Sequence, residues 1–194
     1  MLYVILDSSA SYLSVGIADE HQLIDYVCYE AWQNQSEKMI PELENLLKKN
    51  NYQPKDISDV IVGIGPGSYT GIRIALTTAK IICLSLKANL YTVSSLQILK
   101  EKDNKTICLM DARSGRSYFA VYEGSKCIEV DQIKTNEEVL SFIKDHPDYS
   151  IKGELSYLGM PDNVGNTLLE AYSLKDCLHK EDNPLATKPV YMRG

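Results

Sequence analysis

None of the five cysteines, Cys28, Cys83, Cys108, Cys127 and Cys177, stands in a CxxC pair. They are odd in number and lie singly in or beside apolar stretches, which argues against a disulfide framework or a zinc cluster and for reduced, buried thiols. The three histidines, His21, His146 and His179, are as isolated. No HxxxH or HExxH spacing sets two imidazoles on one helix face, no serine or cysteine occupies a GxSxG elbow, and no metal or other cofactor is expected. No uninterrupted apolar run reaches the roughly 18 residues of a membrane span. Residues 1–7 meet an acid, Asp7, before any basic residue, so no signal peptide is expected either. The expected location is the cytoplasm, with no membrane partner. Positive charge is also short, with 20 Lys and Arg against 26 Asp and Glu and a net charge of -6. That balance opposes stand-alone binding to nucleic acid, so any role with RNA is expected to run through a partner.

What is present is an α/β pattern that occurs twice. Short apolar strands are expected at 2–6, 13–18 and 23–29, joined by polar turns into an antiparallel meander. A helix follows at 36–50 with Met39, Ile40, Leu43, Leu46 and Leu47 on one face, then a buried strand at 60–64. The second half restarts at 107–111, where Ile107-Cys108-Leu109-Met110-Asp111 repeats the strand-then-aspartate of Val4-Ile5-Leu6-Asp7. Strands at 118–122 and 127–130, a capping box at Thr135-Asn136-Glu137-Glu138 opening a helix, and a strand at 150–152 complete the repeat. Two lobes are therefore expected, 1–102 and 103–194.

Between strand 60–64 and a helix running to about residue 86 lies the loop Gly65-Pro66-Gly67-Ser68-Tyr69-Thr70-Gly71, followed by Ile72-Arg73. Its glycines allow a sharp turn, and Ser68 or Thr70 suits the helix cap. A turn that aims the next helix is favoured over anion binding, because no Lys-Ser/Thr pair closes the loop. On the helix, Ile72, Ala75, Leu76, Ala79, Ile82, Cys83 and Leu86 form one stripe, while Ile74, Ile81 and Leu84 fall outside it. A helix apolar most of the way round is buried on two sides, the second by its own domain or by another chain.

Asp7 and Asp111 occupy the positions where a two-lobed nucleotide-binding ATPase carries its Mg²⁺ and phosphate contacts. Here Ser8-Ser9-Ala10 lacks glycine and the second half has no Gly-Gly pair, so turn capping is the favoured role. Arg113 and Arg116 beside Asp111 read as a solvated pair in a turn.

The segment from Gly65 to Arg73 resembles the signature of the TsaB family, the dimerisation subunits of the bacterial machinery that makes threonylcarbamoyladenosine beside the tRNA anticodon. Val4-Ile5-Leu6-Asp7-Ser8-Ser9, Gln35-Ser36-Glu37 with Pro41, Val93-Ser94-Ser95-Leu96, Met110-Asp111-Ala112-Arg113 and Pro189-Val190-Tyr191-Met192-Arg193 support the resemblance. Tyr69 stands where the family commonly has Phe, and Gln35 where it often has His. The resemblance implies two ribonuclease H-like lobes of the actin, Hsp70 and sugar-kinase superfamily. It implies a non-catalytic scaffold that binds a TsaD-like transferase, or itself when TsaD is absent, helps recruit a TsaE-like ATPase, and meets tRNA only within the complex. The implied interface is Met39, Leu43, Leu46, Ile72, Ala75, Leu76, Ala79, Ile82 and Cys83, with Asp7 and Asp111 flanking a vestigial nucleotide cleft. The rival is a stand-alone ATPase or metallopeptidase-like enzyme of the same superfamily.

Overall fold

The computed structural model describes residues 1–31 and 33–192; Arg193, in the C-terminal motif above, lies outside the described residues. Strands β1 (Leu2–Asp7), β2 (Tyr12–Ala18) and β3 (Leu23–Glu30) form the expected antiparallel meander. After α1 (Gln35–Lys49), β4 (Ile57–Gly63) lies parallel to β1, and after α2 (Tyr69–Leu86), β5 (Asn89–Val93) lies parallel to β4. The sheet order is β3-β2-β1-β4-β5. Strand β4 begins earlier than expected because polar residues join it. Ser58 Oγ accepts from Leu2 N at 3.1 Å, and Asp59 Oδ1 accepts from Asn89 Nδ2 at 2.8 Å.

Both faces of this sheet are covered, as near-continuous apolar strands require. On one face Val4, Leu6, Val60 and Val62 pack beneath Met39, Leu43, Leu46, Ala75, Leu76 and Ala79 of α1 and α2. Alternation sends Ile5 and Ile61 to the other face, where they meet Leu168, Ala171 and Leu174. Helix α2 is the one described helix long and apolar enough, by length and composition alone, to cross a membrane. Arg73 and Lys80 interrupt its apolar run, and it packs on β4 and β1 within the fold.

The second sheet repeats the first in smaller form. Strands β6 (Lys105–Arg113), β7 (Arg116–Glu123), β8 (Lys126–Thr135) and β9 (Ser150–Gly153) lie in the order β8-β7-β6-β9. Helix α3 (Asn136–Asp145) carries the expected capping box: Thr135 Oγ1 accepts from Glu138 N at 3.2 Å, and Glu138 Oε2 accepts from Thr135 N at 2.7 Å. The turn expected around Arg113 and Arg116 is tight, since the two pair across Ser114 and Gly115. Phe119, Val121 and Val139 fill the α3 side.

Packing does not follow chain order at the end. Helix α4 (Thr167–Ser173) lies against the first sheet, so it covers β1 and β2 rather than the second sheet. A buried ion pair, Lys100 Nζ to Glu170 Oε2 at 2.6 Å, fastens it to the segment linking the sheets. The sheets themselves are joined by an apolar seam of Leu96, Leu99, Cys108, Met110 and Tyr122. Above it Asp131 accepts from Ser94 Oγ and, at 2.6 Å, from Tyr122 Oη.

Candidate functional site

The glycine loop is a clasp. Ser68 N donates to Ser9 O at 2.7 Å, Gly65 N to Ser95 Oγ at 3.1 Å and Gly71 N to Ser68 Oγ at 3.2 Å. The last of these is the helix cap, which falls to Ser68 rather than Thr70. Two glycines are required by close approach: a Cβ on Gly67 would lie 2.2 Å from Ser9 O, and one on Gly71 1.8 Å from Ser8 O. Val190 N donates to Ile64 O at 2.8 Å, so the C-terminal segment closes over the same loop. These amides are engaged inside the protein, which favours the turn reading over a phosphate loop.

Between the sheets lies a cleft of about 540 Å³. Ser9, Ser68, Thr70, Asp111, Arg113 and Glu154 are among the residues lining it. Asp7 stands behind this wall, buried at the end of β1. Its Oδ2 accepts from Ser9 Oγ at 3.1 Å, and burial pushes its carboxyl up to about 6. Asp111 is exposed, and its Oδ1 accepts from Arg113 N at 2.7 Å. Both aspartates therefore brace their turns. Among the described residues no group of three or more His, Cys, Asp or Glu side chains is placed to hold a metal ion.

The residues expected at a protein interface are elsewhere than expected. Met39, Leu43, Leu46, Ile72, Ala75, Leu76, Ala79, Ile82 and Cys83 are all buried in the chain's own core. The regular stripe is what a helix turns toward its own sheet, so periodicity selected the core. Two of the three residues that break the stripe stay in solvent, Ile81 at 56% exposed and Leu84 at 55%, while the third, Ile74, packs against the core. Ile40, expected on the buried face of α1, is exposed as well.

At the start of α2 the exposed Tyr69 ring stacks on Tyr191, with centroids 5.0 Å apart. Arg73 lies over Tyr69 at 5.2 Å and donates to its hydroxyl at 2.6 Å. Nothing in the local sequence announces this cluster, because it joins the loop to the far end of the chain.

The family model described as TsaD, tRNA N6-adenosine threonylcarbamoyltransferase, matches residues 27–145. The chain is 31% identical over 145 residues to tRNA threonylcarbamoyladenosine biosynthesis protein TsaB of Bacillus subtilis, covering 72% of this chain and 62% of that protein, less than two thirds of its length. The TsaB protein of Buchnera aphidicola subsp. Schizaphis graminum is 27% identical over 145 residues, covering 72% of this chain and 67% of that one. A solved structure described as similar to peptidase YeaZ, from Pseudomonas aeruginosa, superposes with a TM-score of 0.80 at 17% identity over 99% of both chains. The fold is thus that of the YeaZ structures, a mixed α/β fold built on two sheets. The chain belongs to the family described as TsaD, tRNA N6-adenosine threonylcarbamoyltransferase, as a TsaB-like member of it.

Proposed function

We propose that this chain is a non-catalytic partner subunit in tRNA threonylcarbamoyladenosine biosynthesis. It acts in the cytoplasm, binds a TsaD-like transferase, pairs with itself when that transferase is absent, and helps recruit a TsaE-like ATPase. It meets tRNA only within the complex and needs no cofactor of its own. The names carried by its relatives support the pathway. In this reading residues 1–102, with α4 and the C-terminal segment packed on them, form the lobe that docks, and the rest of 103–194 forms a smaller companion.

The observation that carries the docking role is the pair Ile81 and Leu84, exposed on a helix whose other face is already committed to the core. Scattered exposed apolar residues are ordinary. These two are three positions apart on one helix face, with Ile40 exposed on the adjacent α1. Helix-on-helix burial of such a face is the usual means of association. The turn-bracing roles of Asp7 and Asp111 support the absence of catalysis.

Co-expression with the TsaD-like protein of the same cell tests the reading. Recovery of a stoichiometric complex that Leu84→Glu abolishes is the expected result. A second reading, a stand-alone ATPase or metallopeptidase-like enzyme, draws on the cleft of about 540 Å³ between the sheets. Isothermal titration with ATP and Mg²⁺ separates the two, since binding by the isolated chain at about micromolar Kd would favour the enzyme.

A further inference from the structure

The C-terminal segment crosses the outer side of α2 and is tied there by Lys80, whose Nζ donates to Leu185 O at 3.0 Å and Thr187 O at 2.6 Å. Between the segment and the helix runs a groove of about 460 Å³. Its charged lining residues are Arg73, Lys80 and Lys188, with no carboxylate. Among the described residues none of the three forms a salt bridge. The cleft between the sheets, the hollow beside the N-terminus and the one along β8 each carry carboxylates. In a chain of net charge -6 this is a local reversal of sign. The groove is also apolar: Leu76 lies in its floor, and Leu185 and Tyr191 line it at 59% and 42% exposed.

We propose that this groove is a docking site for an acidic segment of a partner protein, one that alternates carboxylates with large apolar side chains. The three cations outnumber the carboxylate set against the lining, Glu181, whose Oε2 accepts from Thr187 Oγ1 at 3.2 Å, and so raise the local potential and favour carboxylates over other charges. Apolar walls give the segment's remaining side chains somewhere to be buried, which phosphate does not need. Three cations also release too few counterions to hold RNA firmly at physiological salt. The site goes beyond the helix face at Ile81 and Leu84, and it is tested without TsaD.

The probe is a fluorescein-labelled ten-residue peptide of alternating glutamate with leucine and phenylalanine, read by anisotropy on the full chain, beside its glutamine counterpart. The expected result is a Kd below about 100 μM at low salt, at least tenfold weaker for the glutamine peptide and for Lys188→Glu, and weaker again as salt rises. Arg73→Ala should act in the same direction, and Lys188→Glu should leave the melting temperature unchanged. Equal binding of the two peptides, or no binding of the acidic one, overturns the proposal. So does loss of self-association in Lys188→Glu without peptide binding, which would assign the groove to a second copy. Binding of a single-stranded RNA that Lys188→Glu abolishes, with the peptide inert, would assign it to a phosphate backbone.

Discussion

Ser8 and Gly71 are locked together twice. Ser8 Oγ donates to Gly71 O at 2.8 Å, and Ser8 O occupies the space where a side chain on residue 71 would begin. The first turn of the chain and the first turn of α2 are thereby held as one piece. Gly71→Ala must push the Ser8 backbone away, and a loss of about 3 kcal/mol or more is expected. Ser68→Ala removes only the cap and should cost about 1 kcal/mol. Urea denaturation of both variants checks the order.

Asp7 sets a pH dependence. Its carboxyl, near 3.8 in an unfolded chain, stands at about 6 in the fold because burial disfavours the charge. The folded state therefore binds the proton more tightly. This group's contribution to stability is greatest below about 3.8, declines as pH rises toward 6, and is constant above. Asp7→Asn removes the buried charge and should stabilise the protein at pH 7.5, by up to about 3 kcal/mol. Its advantage should vanish near pH 4. Melting temperatures of the two proteins across that range give the sign directly.

The pair Lys100 and Glu170 holds α4 to the first lobe, and Lys100 is only 4% exposed. Glu170→Ala leaves a buried ammonium whose remaining partner is Ser173 Oγ at 3.4 Å, and should cost about 3–5 kcal/mol. Combining Lys100→Met with Glu170→Leu should recover most of that loss. Chemical denaturation of the single and double variants measures it.

Lys87 ends α2 at φ 59°, in the left-handed region. Lys87→Gly relieves that conformation and should raise stability by about 0.5–1 kcal/mol. A small upward shift in melting temperature is the check.

Much of the fold was legible in the sequence because apolar alternation and short polar turns are local signals. The meander of β1 to β3, the Thr135 capping box and the duplicated strand-then-aspartate at Asp7 and Asp111 all follow from them. Strand β8 extends beyond the expected 127–130 because its polar residues find partners inside the fold: Asp131 accepts from Ser94 Oγ and Tyr122 Oη, and Lys134 Nζ lies over the Phe119 ring at 4.2 Å. The placement of α4 on the first sheet was not legible, since an amphipathic heptapeptide does not say which of two sheets it covers. The site was least legible. Gly67 and Gly71 were visible as a turn, but the carbonyls of Ser8 and Ser9 that require them belong to a different element. The stripe through Ala79 was visible as a contact face, and periodicity alone does not distinguish a helix's own core from a partner.

That distinction is the one to measure. Ala79 is fully buried and Leu84 is 55% exposed on the same helix, so a glutamate at each separates folding from docking. Size-exclusion chromatography with light scattering should be run on the wild type, Ala79→Glu and Leu84→Glu, alone and with the TsaD-like protein. The expected result is a wild-type homodimer that converts to a heterodimer and an Ala79→Glu protein that fails to fold. Leu84→Glu should be a monomer of unchanged melting temperature that does not bind TsaD. A wild-type monomer that ignores TsaD, or a Leu84→Glu protein that assembles normally, would contradict the docking role of α2.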